Sequence, residues 1–170
     1  MSIASAFSLI FGLLWGFVQF RNDISIEPYS SLNPKLPFET RFAVTNQGPF
    51  TIYSLYYSCT VGYVHTSKGY LTANRRHTKW IIAVPEEKTE LIPKAAKWSV
   101  HCDATNIFKN QQDIDQADLQ IEVWYRPSFW PFHIIRGEAF IMKRDSSGNA
   151  QWIYLGQAMS PKEFGDIRPK

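Results

Sequence analysis

Charge is missing from the first 20 positions: all 18 Lys and Arg and all 15 Asp and Glu lie within 21–170. Across the rest the two signs nearly cancel, and a formal net charge of +3 is too small for a nucleic-acid surface, which needs a concentrated basic face. No G-x-x-x-x-G-K, G-x-G-x-x-G or G-x-S-x-G occurs, so phosphate-cradling loops and the serine-hydrolase elbow find no support. Cysteine is limited to Cys59 and Cys102, and no C-x-x-C or H-x-x-x-H spacing points to a metal site. Low-complexity tracts, internal repeats and a long amphipathic helix are also lacking. What the 170 residues do contain is 45% apolar and 15% aromatic side chains against 19% charged ones, enough to fill the core of about one domain.

The uncharged stretch is itself a signal. Residues 3–20 read IASAFSLIFGLLWGFVQF, and a helix rising about 1.5 Å per residue would carry them nearly across the ~30 Å hydrocarbon core of a bilayer. A buried soluble helix usually keeps a polar stripe, whereas here the large apolar residues point in every direction. The sequence therefore predicts one transmembrane helix within 1–21, with the lipid bilayer as the partner of residues 3–20. A cleaved signal peptide would need a basic start and small residues before the cut, but this run ends in Phe17-Val18-Gln19-Phe20, so it reads as an uncleaved anchor. Ala4, Ser8, Gly12 and Gly16 recur every four residues and form a narrow ridge of small side chains. Such ridges let helices approach closely in lipid, which predicts packing against a membrane-protein partner or a second copy of this chain.

Two signals oppose each other on the side of the membrane. Arg21 and Lys35 follow the span with no Lys or Arg ahead of it, which by positive-inside counting puts the rest of the chain in the cytoplasm. A β-rich domain with two cysteines belongs where disulfides persist. The reading adopted is a single-pass membrane protein with its domain on the extracytoplasmic side.

From residue 22 onward the apolar period changes from helical to alternating. In 118–125, Leu119, Ile121, Val123 and Tyr125 face one way and Asp118, Gln120 and Glu122 the other, the pattern of a half-buried strand. The run 51–64 likewise places Tyr53, Leu55, Tyr57, Cys59 and Val61 on one face, and 41–45 does so for Phe42 and Val44. Shorter candidates are 24–27, 80–84, 98–102 and 134–142, and 106–116 holds at most a short helical turn. Turn chemistry separates them at Asn33-Pro34, Asn46-Gln47-Gly48-Pro49, Ser67-Lys68-Gly69, Pro85-Glu86-Glu87 and Asp145-Ser146-Ser147-Gly148. The fold class that follows is mainly β: an antiparallel sandwich of about seven strands over 22–154, followed by a C-terminal tail at 155–170.

An extended opening strand, a strand ending Val44-Thr45-Asn46-Gln47-Gly48, a strand through Cys59, and Leu91-Ile92-Pro93 leading into 98–102 carry a resemblance. Over roughly residues 24–144 the chain resembles the bacterial immunoglobulin-like sandwich modules of cell-surface and membrane-tethered proteins, in particular those named for adhesion. The resemblance implies a binding or spacing module without catalysis or cofactor, and it carries over no binding residue. Such modules usually place glycine soon after the Leu-x-Pro turn, where this chain has Lys94-Ala95-Ala96.

Alternation points both thiols into the core, so Cys59 and Cys102 either form a bridge or behave as two buried apolar residues. A bridge closing a loop of this length would contribute roughly 4 kcal/mol in the chain-entropy model. His101 and Cys102 do not form a nucleophile and base, because neighbours on a strand leave opposite faces. His65, His77 and His133 occur singly, and Glu86, Glu87 and Glu90 beside Lys88 read as a solvated turn. Arg75-Arg76-His77-Thr78-Lys79 reads either as a solvated edge or as a contact for anionic headgroups or an acidic partner. Tyr125, Arg126, Phe129, Trp130 and Phe132 crowd a connection broken by Pro127 and Pro131, which marks an interface or a cap over the open end of the sandwich. The leading functional expectation is a non-enzymatic membrane protein whose sandwich binds a protein or serves as an accessory subunit of a membrane complex. The other is a small metal-binding or hydrolytic domain with His65, His77, His101 or His133 converging.

Overall fold

The computed structural model describes residues 23–72, 80–83 and 91–157. The predicted span 3–20 with its ridge Ala4, Ser8, Gly12 and Gly16 lies outside these residues, as do the cluster 75–79, the glutamates of 86–90 and residues 158–170. Among the described residues no helix is long and apolar enough to cross a membrane.

The domain is mainly β, and every strand pairing is antiparallel. One sheet has the order β1-β2-β7, built from β1 (Ile24–Ser31), β2 (Thr40–Asn46) and β7 (Lys97–His101). The other runs β10-β9-β8-β3-β6 and comprises β10 (Ala150–Gln157), β9 (Ile134–Arg144), β8 (Ile114–Pro127), β3 (Ile52–Val61) and β6 (Trp80–Ala83). A hairpin of β4 (Tyr63–Thr66) and β5 (Gly69–Thr72) joins it through β4, which pairs with the first half of β8. Short 3-10 turns sit at Pro37–Glu39 and Gln111–Asp113.

The two sheets pack face to face in a sandwich-like arrangement because each turns its apolar period inward. Phe42, Val44 and Val100 from the smaller sheet meet Leu55, Leu119, Ile121, Val123, Phe140 and Met142 from the larger, all fully or nearly fully buried. The Phe42 and Phe140 rings lie 5.0 Å apart across the interface. Each such side chain contributes about 1.5–3 kcal/mol by leaving water. Cys59 in β3 and Cys102, just past β7, are joined by a disulfide that ties one sheet to the other, and neither thiol is free. Tyr57, which alternation places on the face of Leu55 and Cys59, is only half-buried and packs edge to face on the half-buried Trp98 at 5.3 Å.

Three departures from simple alternation have local causes. A bulge between Tyr53 and Tyr56 shifts the period of β3, so Ile52 rather than Tyr53 enters the core with Leu55. The run 51–64 is two strands, not one: it breaks at Gly62, where the Asp118 carboxylate accepts hydrogen bonds from the Gly62 and Tyr63 amides at 2.6 and 2.7 Å. A Cβ at Gly62 would come within 2.7 Å of Asp118 Oδ2, so any larger residue would have to displace the carboxylate that caps these amides. Asp118 and Gln120, read as the solvent face of a half-buried strand, are themselves buried, which makes this part of β8 buried on both faces. Beyond the predicted strands lie the short β5 and β10, the latter running three residues past position 154.

Candidate interaction surface

One end of the two-sheet domain gathers the residues most suited to contact. β8 reaches it at Pro127, and the chain turns there through a hydrogen bond from the Trp130 amide to the Pro127 carbonyl at 3.0 Å. The two prolines, having no amide to donate, stop the ladder. The Ser128 amide instead reaches the Thr51 carbonyl at 3.0 Å, fastening this turn to the one that precedes β3.

The rings make a continuous row. Phe50 and Phe129 are 4.4 Å apart, Phe129 and Trp130 6.5 Å, and Trp130 and Phe132 5.9 Å. Phe129 is 45% exposed and Phe132 66%, in a turn where loops normally present polar side chains. Arg126 lies opposite Tyr53 in the ladder and places its guanidinium 4.3 Å from that ring's centre, a cation–π pair. Tyr125 is a correction: it is 2% exposed and belongs to the core, not to the surface. Alternation along 118–125 already points it inward with Val123. Phe50 and Tyr53, which the sequence reading did not assign to this site, join it because β3 and β8 are paired.

The turn that opens β7 is at the same end. Ile52 and Ile92 exchange backbone hydrogen bonds, and Asn46 donates to both the Phe50 and Ile92 carbonyls at 2.7 and 3.0 Å. Ala96 closes back on the Pro93 carbonyl at 3.1 Å, with Ala95 at a φ of 62°, the left-handed conformation that glycine adopts freely.

A small ionic group sits on the inner face of β9, opposite Ile121 and Val123 of β8. Arg136 Nη1 is 3.9 Å from Asp23, and its Nε is 3.6 Å from Glu138, whose side chain is almost fully buried. Burial pushes the Glu138 carboxyl up to about 7; the Arg136 guanidinium and a backbone hydrogen bond from Ile26 offset this only in part. The two-residue period through Phe140 and Met142 carries Glu138 inward, so the signal was present in the sequence.

The described histidines gather into no metal-binding group. His65 on β4 lies 3.9 Å from Asp115, His101 is exposed at the end of β7, and His133 meets the edge of Tyr56 at 5.7 Å; His77 is outside the described residues. Among the described residues no three or more His, Cys, Asp or Glu are grouped to hold a metal ion. Cys102 is committed to the disulfide and offers no nucleophile. Comparison with protein-family models, with curated proteins and with solved structures finds no match to this chain.

Proposed function

We propose that this chain is a non-enzymatic single-pass membrane protein whose immunoglobulin-like sandwich stands on the extracytoplasmic side as a binding or accessory subunit of a membrane complex. The observation that carries the reading is the charge-free run 3–20 set two residues ahead of a disulfide-closed β domain. The run has the length and composition of a span. The bond between Cys59 and Cys102 favours an oxidising compartment over the positive-inside count from Arg21 and Lys35. A cystine joining the two sheets is also what immunoglobulin-type sandwiches use to pin their layers.

The ridge Ala4, Ser8, Gly12 and Gly16 is the element that meets a partner helix. The test is recovery of the tagged full chain from membranes in mild detergent. The wild type should resist alkaline extraction and bring down a stoichiometric membrane protein or its own copy. Gly12→Ile with Gly16→Ile should stay membrane-embedded, since both changes add apolar surface, yet lose that companion. Release of the wild type by alkaline extraction overturns the anchor, and retention of the companion by the double variant overturns the ridge.

A further inference from the structure

We propose that the turn 128–133 is a lipid-contact surface, with Phe129, Trp130 and Phe132 seated in the headgroup region of the bilayer that residues 3–20 span. The proposal rests on the anchored reading above and assigns the aromatic end to lipid, leaving the helix ridge for the protein partner.

The first support is where the chain enters the domain. The Asp23 carbonyl accepts the Gln47 and Gly48 amides at 2.9 and 3.1 Å, which fixes the start of the domain to the turn before β3. That same turn holds Phe50 against Phe129 and Thr51 against Ser128. The rings therefore share an end of the domain with the residue that leads out of the apolar run.

The second support is reach. Only Arg21 and Asn22 separate Phe20 from Asp23, and an extended chain covers at most about 3.6 Å per residue, so Asp23 lies within about 11 Å of the end of the run. The polar layer on each side of the hydrocarbon is about 5–8 Å thick. A domain held on so short a tether brings this end to the interface.

The third support is chemistry. Amphipathic rings collect at the membrane–water boundary, and long basic side chains lay their stems beside them with the charge turned to water. Besides Phe129 and Phe132, this end exposes Leu91 at 70%, Ile135 at 60% and the cation of Lys94. Within its described turns, at 23, 47–51, 91–95 and 128–133, the sole carboxylate is that of Asp23, which faces Arg136.

The experiment uses nitroxide labels on the full chain in phosphatidylcholine vesicles. Both native cysteines are bonded, so a single added thiol takes the label alone. Labels go on Leu13→Cys in the run, Phe132→Cys in the turn and Ser147→Cys at the opposite end. Oxygen, which concentrates in lipid, should relax the labels at 13 and 132 more than a water-soluble nickel chelate does, with the order reversed at 147. Adding Phe129→Ser and Trp130→Ser should return the label at 132 to the nickel-accessible class. A nickel-accessible label at 132 with a lipid-embedded label at 13 overturns the lipid contact and leaves the anchor standing. Shielding of 132 from both reagents overturns it in favour of a protein partner. A nickel-accessible label at 13 overturns the anchored reading and this proposal with it.

Discussion

At the end of the domain closed by the β9–β10 turn, Arg144 donates to the carbonyls of Ile114, Lys35, Gly148, Gln111 and Gln112, drawing three stretches of chain together around one guanidinium. Trp152 donates to the Pro37 carbonyl, Gln111 accepts from the Phe38 amide, and Phe38 stacks on Phe108 at 5.3 Å. Asp145 closes the turn by accepting from Asn149 and Ser147, whose amides hold its carboxyl below the ordinary range. The aromatic end is built the other way. Its backbone is just as well tied, through Asp23, Asn46 and Thr51, but its rings face outward. One end turns its polar groups on one another, although Leu32 and Ile107 are exposed there. The other is ordered first and leaves apolar area for something outside it, which is how a preorganised contact surface differs from a stabilising cap.

The largest expected effect breaks the closed end. Arg144→Met keeps most of the stem's volume but strands the carbonyls it served, and should lower unfolding free energy by about 3 kcal/mol, read from the denaturant midpoint at unchanged slope. An intermediate effect belongs to the ionic group on β9. The folded Glu138 carboxyl holds its proton more tightly than the unfolded one, with a value of about 7 against 4.5. Between those values the native state binds more protons, so this contribution is complete below 4.5, falls as pH rises and levels off above about 7. Glu138→Gln should flatten that decline in a pH series of thermal melts. The smallest effect has the opposite sign. Ala95→Gly relieves a left-handed alanine at the aromatic end and should raise stability by about 0.5 kcal/mol after the extra entropy of the unfolded chain, a gain that denaturant titration can resolve. Together these changes would show that the two ends differ in outlook and not in backbone order.

The inner face of β8 was legible in the sequence because Leu119, Ile121, Val123 and Tyr125 alternate cleanly over a long strand. The cysteine pair was legible as two inward thiols, but their bonding depends on the distance between strands of different sheets, which no period encodes. Tyr53 was misplaced because a bulge inserts a residue into β3, and a bulge leaves no mark in an alternation count. β10 escaped notice because Ile153, Tyr154 and Leu155 are all exposed in a row, with a further irregularity before Gly156. β5 has four residues, too few for a period to emerge. The aromatic turn stood out because its composition conflicts with its place in a connection. Arg144 carried the same kind of signal unread: it continues the inward period of Phe140 and Met142, where a basic residue needs acceptors waiting for it.

The bond between Cys59 and Cys102 also makes a closed ring of everything between them. A protease that cuts anywhere within 60–101, at Arg75-Arg76 for instance, opens the ring without dividing the molecule, and the nicked chain migrates as two fragments only after reduction. The portion that begins at the apolar run and the portion that carries β8, β9 and β10 would stay in one covalent piece through such a cut. A single break between 103 and 157, or one ahead of Cys59, has no such protection, so the same chain is tolerant of proteolysis between its two cysteines and severed by it on either side of them.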